Sequence, residues 1–249
     1  MKIFVHIAVD HYGAECLAKL KDVLSDLAAA DRERHLYVWG GCGKAPKIES
    51  YWSVRYPAWD DIIELPYKDE THGPPELTLD RSLLAKSIKD AFWGGPIGEK
   101  FVELCSSWPY KTLGPNQPYQ SVVTLSGSLG DPAGSSVLLG FLSGLAGLRV
   151  RGIFNCNVFC VVGIGAASGT LDRDKGKDDR IRVLAARGLL DLQAFLTKSS
   201  KYPEWAFPVY LVGERQIADV DSDRRSQMAM GGLALLSITR SIIEDQYIF

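Results

Sequence analysis

Charge of one sign is what this chain lacks most plainly: 28 Lys and Arg stand against 30 Asp and Glu, a formal net charge of −2 over 249 residues. No basic field is available to hold nucleic acid or an anionic membrane, so DNA and RNA are not expected partners. The most basic short stretch, Arg173 to Arg182, is interleaved with aspartates and reads as a solvated loop. No run of about eighteen apolar residues free of charge and turn signals is found, which argues against a membrane span. Nor does Met1 to Asp10 carry the long apolar run and small-residue cleavage site of a signal peptide.

Cysteine is also scarce. The five, at positions 16, 42, 105, 156 and 160, sit mostly in apolar segments and lack zinc-finger spacing, so reduced thiols in the cytoplasm are expected. Neither HExxH nor GxSxG occurs, which leaves metalloprotease and hydrolase-elbow chemistry without a motif. Gly163-Ile-Gly-Ala-Ala-Ser-Gly169 approaches GxGxxG, but its glycines miss the register and a charged segment follows. Internal repeats and low-complexity tracts are absent.

What is present is an alternation of strand-like and helix-like segments. Lys2 to Val9 is apolar and β-branched without strict alternation, as a central parallel strand covered on both faces requires. Cys16, Leu17, Leu20, Val23, Leu24 and Leu27 then recur at helical spacing. Further strands are expected at His35 to Trp39, Ser121 to Leu125, Leu148 to Val162 and Pro208 to Val212. Helices are expected at Val137 to Leu145, Arg180 to Leu196 and Ser226 to Glu244. This order predicts one three-layer, Rossmann-like α/β domain over residues 1–249, with a mostly parallel sheet and helices on both faces. Residues from about 44 to 118 hold most of the twelve prolines and most of the tryptophans. They read as a loop-rich excursion containing one helical candidate, Leu79 to Ala91.

The most informative stretch is Val122 to Ser136, where a buried strand leads through Gly127, Ser128, Gly130, Asp131 and Gly134 into a helix. A helix N-terminus reached by such a turn offers free backbone N–H groups to an anion, and Ser126, Ser128, Ser135 and Ser136 add hydroxyl donors. Two residues oppose this reading: Asp131 brings a carboxylate among phosphates, and Pro132 has no N–H to give. The same pattern also serves as an ordinary strand-to-helix connection, with glycines for tight packing and serines as caps. In a sheet of this kind the ligand sits beyond the strand C-termini where strand order reverses. The first turn, Ala8-Val-Asp-His-Tyr-Gly13, would form the opposite wall, with Asp10, Tyr12 and Gly13 as candidate binding residues and Asp10 and His11 able to hold a metal or a ribose hydroxyl. Asp219 and Asp221, just before the last helix, read either as helix caps or as acids that activate water or hold Mg²⁺.

In the order of these features the chain resembles the nucleotide-binding domain of the tubulin and FtsZ superfamily, in particular the tubulin-like proteins of bacteria. Gly130-Asp-Pro-Ala-Gly-Ser-Ser136 stands where that family has a signature close to GGGTGTG. Gly130, Gly134 and Ser135 fit it; Asp131, Pro132, Ala133 and Ser136 depart. The resemblance implies a GTP ligand with Mg²⁺, the metal facing Asp131, and phosphates held by Gly127, Ser128, Gly130, Gly134, Ser135 and Ser136. It also implies slow hydrolysis and a homo-oligomeric assembly in which an acidic loop such as Asp219 and Asp221 completes a neighbour's site. Thr124-Leu-Ser-Gly-Ser128 is similar in composition to the ligand turn of CARF domains, which sense cyclic oligoadenylates, and this implies a sensor instead. A scaffold with a degenerate nucleotide site is the third expectation, resting on Asp131 and Pro132.

Overall fold

The computed structural model describes residues 2–24, 34–42, 45–46, 59–65, 81–113, 120–153, 157–164, 175–199, 207–213 and 231–239. Strands β1 (Lys2–Ala8), β2 (His35–Trp39), β3 (Asp61–Ile62), β4 (Gln120–Ser128), β5 (Asn157–Gly163) and β6 (Val209–Val212) form one sheet in the order β3-β2-β1-β4-β5-β6. Every neighbouring pair is parallel, for example Ala8 beside Trp39 and Ser126. The sheet is therefore the Rossmann-like arrangement anticipated, with order reversing between β1 and β4.

Parallel strands need crossovers, and helices supply them. Five have complete bounds: α1 (His11–Leu24), α2 (Arg81–Phe92), α3 (Pro96–Leu113), α4 (Pro132–Val150) and α5 (Lys175–Ser199). A closing helix, α6, is described over 231–239. One face of the sheet is covered by α2, α3, α4 and α5 through Leu84, Ile88, Phe92, Phe101, Phe141, Leu145 and Leu192, packed on Val5, Ile7, Val123 and Val162. The other carries α1 and α6, whose Leu17, Leu20, Leu235 and Ile238 pack on Ala8, Tyr37, Trp39 and Val161.

Three expectations are corrected. Leu148 to Val162 is not one strand, because α4 runs on to Val150 and β5 begins only at Asn157. The break follows a helix end at Arg151 and Gly152, the latter at φ 67°, where glycine is favoured. Within the excursion at 44–118, α3 joins the expected α2: Gly94, at φ 141°, turns the chain, and Pro96 opens the second helix, a position where its missing N–H costs nothing. Last, the stretch Ala133–Val150 is long and apolar enough to cross a membrane by length and composition. Its glycines and serines hid that from a search for unbroken apolar runs, and 72% of it is buried inside the domain. Cys16, Cys42, Cys105 and Cys160 are free thiols, as expected.

Candidate functional site

Because β1 and β4 lie side by side, the turns that follow them meet at the C-terminal edge of the sheet, and the N-termini of α1 and α4 converge there. Both helices begin in the same way. Asp10 stands before α1 and accepts from Gly13 N through Oδ1 at 2.8 Å, three residues on, while its carbonyl accepts from Ala14 N. Asp131, at φ −91° and ψ 123°, stands before α4 and accepts from Gly134 N at 2.6 Å, with its carbonyl accepting from Ser135 N at 3.0 Å. Each is an N-cap carboxylate placed against the positive end of a helix. Pro132, read from sequence as a missing donor, occupies the first turn of α4 where no donor is required.

The amides assigned by sequence to phosphate are thus engaged. Gly130 N donates to Ser128 Oγ at 3.1 Å, Gly134 N to Asp131 Oδ1, and Ser135 N to the Asp131 carbonyl. Asp10 does more than cap: its Oδ2 accepts from Ser128 N at 2.7 Å, tying the β1 turn to the β4 turn. The glycines serve this packing. A Cβ at Gly134 would run into Asp10 Oδ2, one at Gly13 into the Ser126 carbonyl, and one at Gly127 into the Val9 side chain. Close approach of chain to chain, rather than of chain to ligand, accounts for all three.

Electrostatics point the same way. Burial raises the Asp10 carboxyl well above the usual range and the nearby Asp131 charge adds to this, while the hydrogen bonds from Gly13 and Ser128 act against it. A phosphate entering here meets two carboxylates in a desolvated setting. A nucleotide phosphate therefore does not fit the cradle as its groups are arranged. Among the described residues no group of three or more His, Cys, Asp or Glu side chains is placed to hold a metal.

The remaining candidates fall in two places. Ser128, Ser135 and Ser136 are buried at the strand–helix junction, in contact with protein. Tyr12 packs its ring where a Gly163 Cβ would stand, beside the end of β4, and its hydroxyl is hydrogen-bonded to Cys16 beneath α6. Burial pushes both of those groups up. His11 is exposed and meets Trp39 edge-on at 6.2 Å. Asp219 and Asp221 lie outside the described residues. Sequence reasoning named Asp10 but missed its bond to Ser128, since 118 residues separate them and no local pattern marks the pair.

No protein-family model and no curated protein matches the chain. Among solved structures it is similar to CetZ from Methanosaeta thermophila, with a TM-score of 0.51, 11% identity, and coverage of 97% of this chain and 55% of that one. It is also similar to a GTPγS-form protofilament of Bacillus thuringiensis serovar israelensis TubZ, with a TM-score of 0.48, 11% identity, and coverage of 97% and 55%. For Clostridium botulinum phage c-st TubZ the TM-score is 0.41, the identity 9%, and the coverage 91% and 56%. The chain spans a little over half the length of these structures. The likeness to CetZ is one of fold: a tubulin-like arrangement of sheet and helices.

Proposed function

We propose that the chain is a tubulin-like domain that keeps the nucleotide-binding architecture but fills its phosphate cradle from within, and that it works as an assembly scaffold rather than a nucleotide hydrolase. One observation carries this: the amides of Gly130, Gly134 and Ser135 donate to Ser128 and Asp131, so the donors a phosphate would need are engaged. The setting we infer is cytoplasmic, supported by the free thiols at Cys16, Cys42, Cys105 and Cys160. A net charge of −2 adds no attraction for nucleic acid.

A second reading is GTP binding with Mg²⁺, slow hydrolysis and self-assembly, with Asp219 and Asp221 acting on a neighbouring copy. Its support is the location of the cradle at the reversal of strand order, together with the closeness of Asp131 to Asp10, whose mutual repulsion a divalent cation relieves. Calorimetric titration with GTP, ATP and cyclic oligoadenylates, with and without Mg²⁺, separates the readings. The scaffold predicts no saturable heat in any of them. Saturable, Mg²⁺-dependent GTP binding that is lost in Gly134→Asp would overturn it in favour of the second, and binding of a cyclic oligoadenylate would overturn it in favour of a sensor.

A further inference from the structure

Helix α5 (Lys175–Ser199) is apolar on two opposite sides. Ala185, Gly188, Leu192 and Phe195 face the core, with the glycine set against Leu129. At roughly 100° per residue the far side carries Val183, Ala186, Leu190, Ala194 and Thr197. All five are exposed, Val183 by 68% and Leu190 by 65%. Steps of three and four residues between them are those of a seam along which two helices pack, whereas a solvated face would be polar there. Thr197 suits such a seam, because its hydroxyl donates to the Gln193 carbonyl of its own helix at 2.8 Å. One flank of the seam carries Arg187 and Asp191, both exposed and four residues apart.

We propose that this face receives the same face of a second copy of the chain, with the two α5 helices antiparallel about a two-fold axis at the level of Leu189. Such an axis brings like flanks together and sets residues equally far before and after Leu189 opposite each other. Arg187, about 3 Å along the helix on one side of the axis, then faces Asp191 of the second copy, about 3 Å along on the other, and the pair is made twice. Leu190 packs on its own counterpart beside the axis, and Val183 meets the small Ala194. A parallel pair would instead set Arg187 on Arg187 and Asp191 on Asp191, so the charges select the antiparallel one. A net charge of −2 on each copy opposes the approach only weakly. One helix face of this length lies at the small, transient end of protein interfaces, below about 1,200 Å². The association is therefore one of high local concentration. It deepens the scaffold reading and rests on it, by naming the surface and the partner through which copies assemble.

Sedimentation equilibrium of the full chain, without nucleotide and up to millimolar protein, tests this. Wild type is expected to pass from monomer to dimer as concentration rises. Leu190→Glu, which the interface meets twice, weakens that association at least about a hundredfold, with an unchanged circular dichroism spectrum because the position is exposed. Should that variant not fold, Val183→Glu takes its place with the same direction of effect. Arg187→Glu and Asp191→Arg each create two like-charge contacts and each weaken association by about tenfold. An equimolar mixture of those two variants associates at least as well as wild type, since each supplies the charge its partner needs. A wild type that stays monomeric throughout overturns the proposal, as does a dimer indifferent to Leu190→Glu. A mixture no better than its components overturns the charge pairing and with it the antiparallel arrangement. The two readings fail separately. Wild-type GTP binding in the calorimeter overturns the scaffold and leaves the α5 interface standing, whereas loss of the interface leaves the engaged amides of the crevice untouched.

Discussion

The two faces of the sheet are built on different principles. Toward α2, α3, α4 and α5 the strands present Val5, Ile7, Val38, Val123, Leu125 and Val162, an apolar surface met by Phe92, Phe101 and Phe141. Toward α1 and α6 the same strands present Phe4, His6, His35, Tyr37 and Thr124. There the imidazole of His6 shares hydrogen bonds with Thr124 Oγ1 at 2.7 Å and with His35 Nδ1 at 2.8 Å. The rings of Phe4, His6, His35 and Tyr37 lie stacked along this chain. One face is stabilised by area removed from water and is indifferent to direction. The other adds to its apolar packing a hydrogen-bonded chain of imidazole and hydroxyl groups, which makes it sensitive to single atoms and to pH.

The contrast is broken most directly on the apolar face. Phe141 is fully buried, with its ring 5.2 Å from that of Phe92 in an edge-on arrangement. Phe141→Ala is expected to cost about 3–5 kcal/mol of stability, read from the shift in denaturant midpoint. A loss below about 1 kcal/mol would mean that this face is not packed as described.

The polar face answers to His6. His6→Phe preserves size and stacking but removes the partner of Thr124 Oγ1, and is expected to cost about 1–3 kcal/mol, with part of the loss regained in the double variant with Thr124→Val. The pH dependence sharpens the point. Burial, and then the neighbouring His35, hold His6 well below its ordinary pKa, so the unfolded chain takes up a proton near pH 6.5 that the folded chain refuses. Its contribution is complete above that pH and is lost as pH falls toward the folded value. Asp10, raised by burial, acts in the opposite sense and favours the folded state as pH falls, so the His6 contribution is the difference between wild type and His6→Phe in urea titrations at pH 7.5 and at lower pH. Equal slopes in the two proteins would remove His6 from the account.

The smallest effect concerns Ser126. Its hydroxyl is fully buried on the polar face and is the one buried side-chain polar atom without a hydrogen-bond partner among the described residues. Ser126→Ala is therefore expected to leave stability unchanged or raise it by up to about 1 kcal/mol, by the same denaturant measurement. A loss of that size instead would show that the hydroxyl is bonded in solution.

Much of this was legible locally. The apolar run at Lys2 to Val9 and the helical spacing from Cys16 onward predicted β1 and α1, because burial on both sides leaves a continuous signal in a central parallel strand; Pro208 to Val212 predicted β6 by its β-branched and apolar residues, although this edge strand leaves Leu211 exposed. The second helix of the excursion, α3, was not legible, since Gly94 and Gly95 before it and Pro96 and Pro109 within it are residues that usually mark turns and loops. Asp131 was read as an obstacle to phosphate when its ordinary role, an N-cap three residues before Gly134, was written in the same spacing.

What the amino-acid order determined by itself is the succession of strands and helices and the carboxylate at the head of α1 and of α4, for these depend on residues three or four positions apart. Only the tertiary structure decided what those helix ends hold. The bond from Ser128 N to Asp10 exists because β1 and β4 are neighbours in the sheet, and the space for it exists because Gly134 comes from a third segment. Proximity between distant segments is created by packing, and with it the question of whether a crevice is open to an anion or already holds one.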